Sequence, residues 1–210
     1  MGLARRRFGA GSIGAVVLLL IGVAGVSCST AHHSIVGRVA PSSTVRVDVS
    51  RRPLHLPHLN PLAQCPATTG RSQPTSTLGV MLGNGPVRPV GVADGVLTYI
   101  APSPAPQNPF RDSRWGGNKI LWAVGPTIRG DVLIRGHQLD GSAGLRFGMR
   151  TTPDSELVLR ASDATADSAG WRGYPSETRV QRPGCYGYQI DTTATSTIVV
   201  LRVDPAPTSR

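Results

Sequence analysis

Residues 185–191 read CYGYQID, and residues 196–203 read STIVVLRV. In the first stretch Tyr186, Tyr188 and Ile190 alternate with smaller or polar residues. Alternation with a period of two is typical of a strand that is buried on one face. We therefore expect two strands here, and we expect the aromatic face of the first strand to lie in the core.

The opposite face of that strand carries Cys185, so this thiol is expected to point away from the core. Its partner would then belong to a segment that lies on the outer side of the sheet, and Cys65 stands near the start of the predicted domain. The second strand has Val199, Leu201 and Val203 on one face, which we expect to be buried.

Short apolar runs separated by turn residues continue through the rest of the chain. The other predicted strands lie at residues 77–82, 95–100, 119–124, 131–135, 145–147 and 156–161. The chain has 25 Gly and 18 Pro residues, which favour turns and extended structure over helices. About eight short strands without helical periodicity predict an all-β fold, a single β-sandwich that is immunoglobulin-like in architecture only.

The first 27 residues have the pattern of a secretory signal peptide. Arg5, Arg6 and Arg7 precede an apolar run over residues 13–26. As a helix this run would span about 21 Å, which is shorter than a hydrocarbon core of roughly 30 Å. A cleaved signal helix is therefore favoured over a permanent membrane anchor.

Cys28 directly follows this segment, in the order that bacterial lipoprotein signals show. Lipid-modification sites resemble Leu-Ala/Ser-Gly/Ala-Cys, and residues 25–28 (GVSC) match at Ser27 and Cys28 but not at Gly25. We expect cleavage before Cys28 and acylation of its thiol, with a chain such as palmitate. The alternative is ordinary cleavage that leaves Cys28 free.

The cysteine count supports this interpretation, because three cysteines are an odd number for an exported protein. If Cys28 carries lipid, Cys65 and Cys185 remain as a pair. Export places them where disulfides form and persist. The alternative is two free, buried thiols.

These observations divide the chain into four parts. Residues 1–27 are the predicted lipoprotein signal peptide, and residues 28–62 the lipidated cysteine with a flexible tether rich in Ser, Thr, Pro and His. Residues 63–205 are the predicted sandwich domain, and residues 206–210 a tail. The expected location is the outer face of the cytoplasmic membrane, or the cell envelope, through the lipid anchor.

The charge of the chain is strongly positive, at a formal +10. Loss of the signal leaves 19 of the 22 basic residues against 12 acidic ones, a formal +7. Export argues against nucleic acid as a partner, whereas the membrane, an envelope protein or an acidic glycan would be within reach. The arginines are scattered along the sequence, so a solvated surface of mixed charge is the alternative.

Several segments of the C-terminal half carry a resemblance. They are residues 121–124 (LWAV), 134–141 (IRGHQLDG), 183–191 (PGCYGYQID) and 198–203 (IVVLRV). Over residues 65–203 the chain resembles a group of uncharacterised secreted proteins and lipoproteins, mainly from actinobacteria. The resemblance implies a small exported β-sandwich with one disulfide. It implies no activity, so no catalytic residue is transferred from it.

Catalytic and cofactor motifs are absent from the sequence. There is no Gly-x-Ser-x-Gly elbow, phosphate loop, dinucleotide fingerprint, Cys-x-x-Cys or His-Glu-x-x-His. His137, Asp140 and Ser142 stand too close together in one turn to form a triad, whose members come from different elements. Pro57 separates His55 from His58 and breaks a helix that would pair them. We expect no cofactor, no metal site and no enzymatic activity.

Aromatic and arginine side chains stand in two polar segments, residues 101–118 and 162–179, which we interpret as loops. Trp, Tyr and Arg dominate binding hot spots, so we expect these loops to form a binding surface. Its predicted members are Trp115, Trp171, Tyr174, Arg114 and Arg172. The alternative is that the aromatic rings close the ends of the core.

Two functions fit these expectations. The first is a lipid-anchored, non-enzymatic interaction or structural module of the cell envelope. The second is an envelope hydrolase or glycan-active enzyme whose site is scattered in sequence. A shallow surface with aromatic side chains would favour the first function, whereas a pocket with two convergent carboxylates, or with a His against a Ser, would favour the second.

Overall fold

The predicted all-β sandwich is confirmed by the computed structural model, which describes residues 48–72 and 77–207. The described residues belong to one compact unit. The predicted signal peptide, Cys28 and residues 29–47 of the predicted tether lie outside the described residues.

Within the described ranges the chain forms twelve strands, more than the eight expected, because several strands are only three residues long. They are β1 (Gly70–Ser72), β2 (Val80–Leu82), β3 (Val87–Val90), β4 (Val96–Tyr99), β5 (Gly116–Val124), β6 (Val132–Gln138), β7 (Leu145–Phe147), β8 (Leu157–Leu159), β9 (Ala166–Ser168), β10 (Trp171–Val180), β11 (Gly184–Asp191) and β12 (Ser196–Pro205). Single-turn 3-10 helices lie at Val49–Arg51, Ala93–Gly95 and Ala161–Asp163.

The strands form two sheets. The first sheet has the order β1-β2-β3-β5-β10-β7, and β9 also pairs with β10. The second sheet has the order β4-β12-β11-β6-β8. All pairs are antiparallel except β4 with β12.

β11 and β12 form the hairpin that the alternating residues predicted. Tyr186 pairs with Leu201 and Tyr188 with Val199, and all four side chains are buried in the core. The turn is closed by Thr192, whose hydroxyl accepts a hydrogen bond of 2.9 Å from the N–H of residue 195. The period of two therefore identified both the strands and their buried faces correctly.

The core between the sheets is built around large side chains from both of them. Trp122 of β5 and Tyr188 of β11 are fully buried, and their ring centroids lie 5.7 Å apart. Ile120 and Val124 share the buried face of β5 with Trp122. Burial of such side chains stabilises the fold by about 1.5 to 3 kcal/mol each.

β10 corrects the prediction that residues 162–179 form a loop. It pairs with β5 over nine residues and contributes Tyr174, Thr178 and Val180 to the buried face of the first sheet. Its polar sequence and Pro175 obscured the alternation. Pro175 is tolerated because it lies between the parts of β10 that pair with β9 and with β7, where no neighbouring strand needs its missing N–H.

Residues 52–65, which we call the strap, lie along the outer face of the second sheet. The N–H of Leu59 donates to the carbonyl of Leu139 over 2.8 Å. Leu56 packs with Leu59 against Leu139 and Val200. Most of the strap was assigned to the flexible tether, so the packed part of the chain begins earlier than predicted.

A glycine in β11 lets the strap approach the sheet closely. A Cβ atom on Gly187 would lie 2.7 Å from a Leu139 methyl carbon and 3.1 Å from one of Leu56. Real Cβ atoms do not approach that closely, so any larger residue would force the strap or the Leu139 side chain away.

The predicted disulfide between Cys65 and Cys185 is present. The two Cα atoms are 5.4 Å apart, within the range that disulfides span. Cys185 lies on the outer face of β11, opposite the tyrosines, as the alternation predicted, and the strap buries it. The disulfide closes a sequence separation of 120 residues. In the chain-entropy model such a loop contributes on the order of 4 to 5 kcal/mol.

A buried ion pair holds the other end of the strap. Asp191 is fully buried and accepts a hydrogen bond of 2.7 Å from Arg135, which also donates to the Arg52 carbonyl over 2.7 Å. Gln189 donates to Asp191 and to the Pro53 carbonyl. At this end the strap is held by its own backbone carbonyls, which accept from side chains of the sheet. These contacts do not depend on which side chains the strap carries.

The pKa of Asp191 reflects these contacts. Burial alone would raise the pKa of this carboxyl, but hydrogen bonds from Ser196, Arg135 and Gln189, with the charge of Arg135, hold it below its usual value. A carboxylate whose pKa is lowered by folding stabilises the folded state at pH values above its unfolded-state pKa of about 3.9. That contribution is lost as the pH falls through the folded-state pKa.

We therefore predict that Asp191→Asn lowers the free energy of unfolding by about 3 kcal/mol at pH 7, because it leaves the half-buried Arg135 without its counter-charge. The difference should begin to shrink below about pH 4, where Asp191 of the unfolded wild-type chain becomes protonated, and should be lost as the pH falls through the lower folded-state pKa. Urea denaturation between pH 7 and pH 2.5 measures it. Asp204→Asn is the control, since Asp204 forms an exposed pair with Arg202. A difference that stays constant over this pH range would contradict the prediction.

Candidate functional site

Trp115, a predicted member of the binding surface, is a buried residue rather than a surface one. Only 6% of its side chain is exposed. The guanidinium groups of Arg146 and Arg114 lie 5.6 and 5.9 Å from its ring. Trp115 is therefore buried against arginine side chains, and it belongs neither to an exposed surface nor to the hydrophobic cluster between the two sheets.

Arg179 holds the segment that carries Trp115 in place. It is buried, and its Cζ atom lies 4.3 Å from the centroid of the Phe110 ring. Its guanidinium donates to Ser113 Oγ (3.1 Å) and to the carbonyls of Gly116 (3.3 Å), Trp115, Gly148 (2.9 Å) and Arg150 (3.2 Å). Burial lowers the pKa of Arg179, and the charge of Glu177 opposes that effect. All its donor directions are used within the fold, so it is a structural residue.

Trp171 and Tyr174 are in β10 and not in a loop. Tyr174 is buried in the core, and burial raises the pKa of its hydroxyl. Trp171 is half-buried and packs against Met81 and Ala123 on the outer face of the first sheet. The Arg88 guanidinium lies 4.9 Å from its ring centroid.

The structure does not bring the predicted surface residues together. Trp115 precedes Gly116, which pairs with Val180 at one end of the β5–β10 ladder, whereas Trp171 is at the other end, next to the Arg172–Val124 pair. Eight residue steps along a strand correspond to about 27 Å. The two aromatic residues therefore belong to opposite ends of the sandwich.

Arg172, at the Trp171 end, lines an open cleft of about 360 Å³ that we call the arginine cleft. Its lining residues are Pro126, Ile128, Arg129, Ala161, Asp167, Gly170 and Arg172. The Arg172 guanidinium donates to the Ile128 carbonyl over 2.8 Å, which fixes its position. Arg129 is exposed and forms no ion pair within residues 48–72 and 77–207.

A second cleft, of about 410 Å³, lies where β7, β8 and the middle of β10 meet. We call it the carboxylate cleft. Its lining residues are Phe147, Gly148, Asp154, Glu156, Leu157, Val158, Arg160, Pro175, Ser176 and Glu177. Carboxylates from a loop and from β10 are thus in the same cleft, although they are some twenty positions apart in sequence.

In the described part of the chain, His58 and His137 lie against each other on the outer side of the second sheet. His137 Nδ1 lies 2.7 Å from the Gln138 carbonyl, and its ring packs 5.7 Å from that of His58. Asp140 accepts the Cys185 N–H, so its carboxylate is directed at β11. In the part of the chain that the structure describes, no group of three or more His, Cys, Asp and Glu side chains could hold a metal ion. No helix of that part is long and apolar enough to cross a membrane.

Comparisons with known proteins give no further assignment. No protein-family model, no curated protein and no solved structure matches the chain.

Sequence reasoning missed Arg129 and Glu177, and it interpreted Glu156 as solvated loop charge. None of them stands in a motif, and neither cleft follows from local spacing. The arginine cleft is built from the β5–β6 connection, β9 and β10, and the carboxylate cleft from β7, β8, β10 and their connections. The available signal was weak: an acidic group of residues around 154–167 was visible, but its spacing matched no known binding loop.

We predict that Arg179→Met lowers the free energy of unfolding by about 3 kcal/mol, because several buried carbonyls lose their donor. Arg179→Lys should retain part of the stability, since an ammonium keeps the charge but cannot reach both chain segments. Urea denaturation gives the free energies, and limited proteolysis reports opening of residues 101–115. The exposed Arg182→Met is the control. Equal stability of the Arg179→Met and Arg182→Met proteins would refute the structural role.

Proposed function

We propose that the chain is an exported, lipid-anchored β-sandwich of the cell envelope that acts as a non-enzymatic interaction or structural module. The signal-like N-terminus and the cysteine at position 28 support export and anchoring. The observation that carries the proposal is the Cys65–Cys185 disulfide. It belongs to an oxidising compartment, and it leaves Cys28 as the one cysteine that needs another role.

The arginine cleft is the proposed contact site for the partner. Arg129 is exposed and without an ion pair in the described part, while Arg172 is held by a backbone carbonyl with part of its guanidinium still facing the cleft. Guanidinium groups bind carboxylates and phosphates in a bidentate way. Pro126 and Ile128 add apolar contact area. An acidic glycan, or an acidic segment of an envelope protein, fits this chemistry.

A second candidate function is supported by the carboxylate cleft. Glu156 and Glu177 reach it from two different elements, and paired carboxylates are the groups that glycoside hydrolases use. However, Glu156 is exposed, whereas a general acid usually sits in an apolar, desolvated position. A glycan-active enzyme of the envelope is therefore the alternative. Hydrolysis of an envelope glycan that Glu177→Gln abolishes would establish it.

The anchor gives a direct prediction. Mass spectrometry of the membrane fraction should show an acylated Cys28 at the N-terminus of the mature protein, and Cys28→Ala should release the protein into the soluble fraction. Cys65→Ala serves as the control for loss of a thiol, because it should leave the acylated terminus intact. Recovery of soluble wild-type protein with an unmodified terminus would rule out the anchor.

The partner site gives another prediction. We expect Arg129→Gln with Arg172→Gln to weaken binding of a polyuronate probe at least about tenfold at low salt, because two charge-assisted contacts are lost. Binding by the wild-type protein should weaken as ionic strength rises. Arg111→Gln is the control, since Arg111 is exposed near the opposite end and pairs with Asp112. Equal binding by all three proteins would exclude the arginine cleft as an anion site.

A further inference from the structure

The carboxylate cleft opens at a gap in the edge of the first sheet. β9 pairs with β10 at residues 171–173, and β7 pairs with it at residues 178–180, so residues 174–177 have no neighbouring strand on that side. Pro175, Ser176 and Glu177 of this gap line the cleft. A gap between two paired segments exposes backbone groups that a continuous sheet would satisfy.

The backbone at the gap presents an acceptor without a matching donor. The carbonyls of Gly173 and Glu177 accept from Thr165 and Gly148, each over 2.9 Å, on this edge. Because backbone groups alternate sides along a strand, the carbonyl of Pro175 faces the same edge. Proline has no N–H, so this position offers only an acceptor.

Ser176 supplies a buried polar group at the cleft. Only 7% of the residue is exposed, and the acceptor nearest to its hydroxyl is the Glu177 carbonyl at 3.5 Å. Hydroxyl hydrogen bonds normally span about 2.5 to 3.0 Å, so this hydrogen bond is long, and a ligand could replace it with a shorter one. A buried polar group of this kind favours a ligand that hydrogen-bonds to it.

The charges of the cleft do not cancel. Asp154 pairs with Arg150 over 3.4 Å, and Arg160 pairs with Asp163 over 3.7 Å. Glu156 and Glu177 form no ion pair within the described residues.

Two cations stand near Glu177 without pairing with it. Lys119 lies opposite it in the β5–β10 register, and Arg179 directs its donors at Ser113 and at backbone carbonyls. In a protein with a formal charge of +10, this cleft is thus a local concentration of unpaired acceptors.

We propose that the carboxylate cleft binds a primary alkylammonium group. An ammonium has three donors and no acceptor, which matches carboxylates, a carbonyl and a hydroxyl placed on different walls. Phe147, Leu157 and Val158 line the same cleft and would cover the methylene stem. The ligand class is therefore a lysine-like side chain or an aliphatic diamine. The proposal is independent of the lipid anchor and of the arginine cleft.

The experiment is a titration of the full-length protein, purified in detergent, with 1,5-diaminopentane and with Nα-acetyl-lysine methylamide. We expect both probes to bind, and tetramethylammonium, which has no N–H donor, to bind at least about tenfold more weakly. Stronger binding of the lysine derivative would indicate a peptide source, and stronger binding of the diamine a free amine.

Variants of the cleft decide whether this is the site. Glu156→Gln and Glu177→Gln should each weaken binding of the diamine at least about tenfold, because each removes a charge-assisted contact. Asp204→Asn carries the same charge change on β12 and should bind as the wild type does. Melting temperatures show whether each variant is folded. Equal affinity for all variants, or equal affinity for tetramethylammonium, would overturn the proposal.

Discussion

The fold depends on the burial of β11 on both faces. An antiparallel sheet usually leaves one face in water, but here the tyrosines of β11 fill the core while Cys185, Gly187 and Gln189 lie under the strap. Double burial is stable only if the strap stays attached. The disulfide holds one end, and the Arg135–Asp191 pair with Gln189 holds the other. Between them, Gly187 gives the space in which Leu56 packs.

The part of the fold that follows from alternation could be predicted from the sequence, and the strap could not. Alternation fixes which residues of a strand share a face, so the buried tyrosines and the outward direction of Cys185 were predicted correctly. The strap has no periodicity and three prolines. Apart from the disulfide and the packing of Leu56 and Leu59, it is held through backbone groups, such as the Leu59 N–H and the Pro53 carbonyl, which carry no signal in the sequence. Such contacts become visible only when the sheet that receives them is known.

The candidate site shows the same limit for side chains. Whether an aromatic residue in a polar segment closes the core or faces solvent depends on what is packed against it. For Trp115 that is settled by Arg179, which is more than sixty residues away in sequence. Pro175 is typical of a loop, yet it lies in a strand. It is tolerated there because β10 has no neighbouring strand at this residue on the side away from β5. Glu156 and Glu177 line the same cleft only because β8 of one sheet and β10 of the other border it.

The two clefts have opposite charge although they are neighbours along the chain: Arg160 lines the carboxylate cleft and Ala161 the arginine cleft. The divider between them is electrically neutral, because Arg160 pairs with Asp163. The arginine cleft has two guanidinium groups against the one carboxylate of Asp167, and the carboxylate cleft has Glu156 and Glu177 without an ion pair in the described part of the chain. At physiological salt, screening limits the reach of a charge to about 8 Å. The net positive charge of the protein attracts anions that approach its surface, whereas the carboxylate cleft can select a cation only through direct contact. The arginine cleft thus gains from the net charge of the protein, and the carboxylate cleft must obtain its affinity from hydrogen-bond geometry.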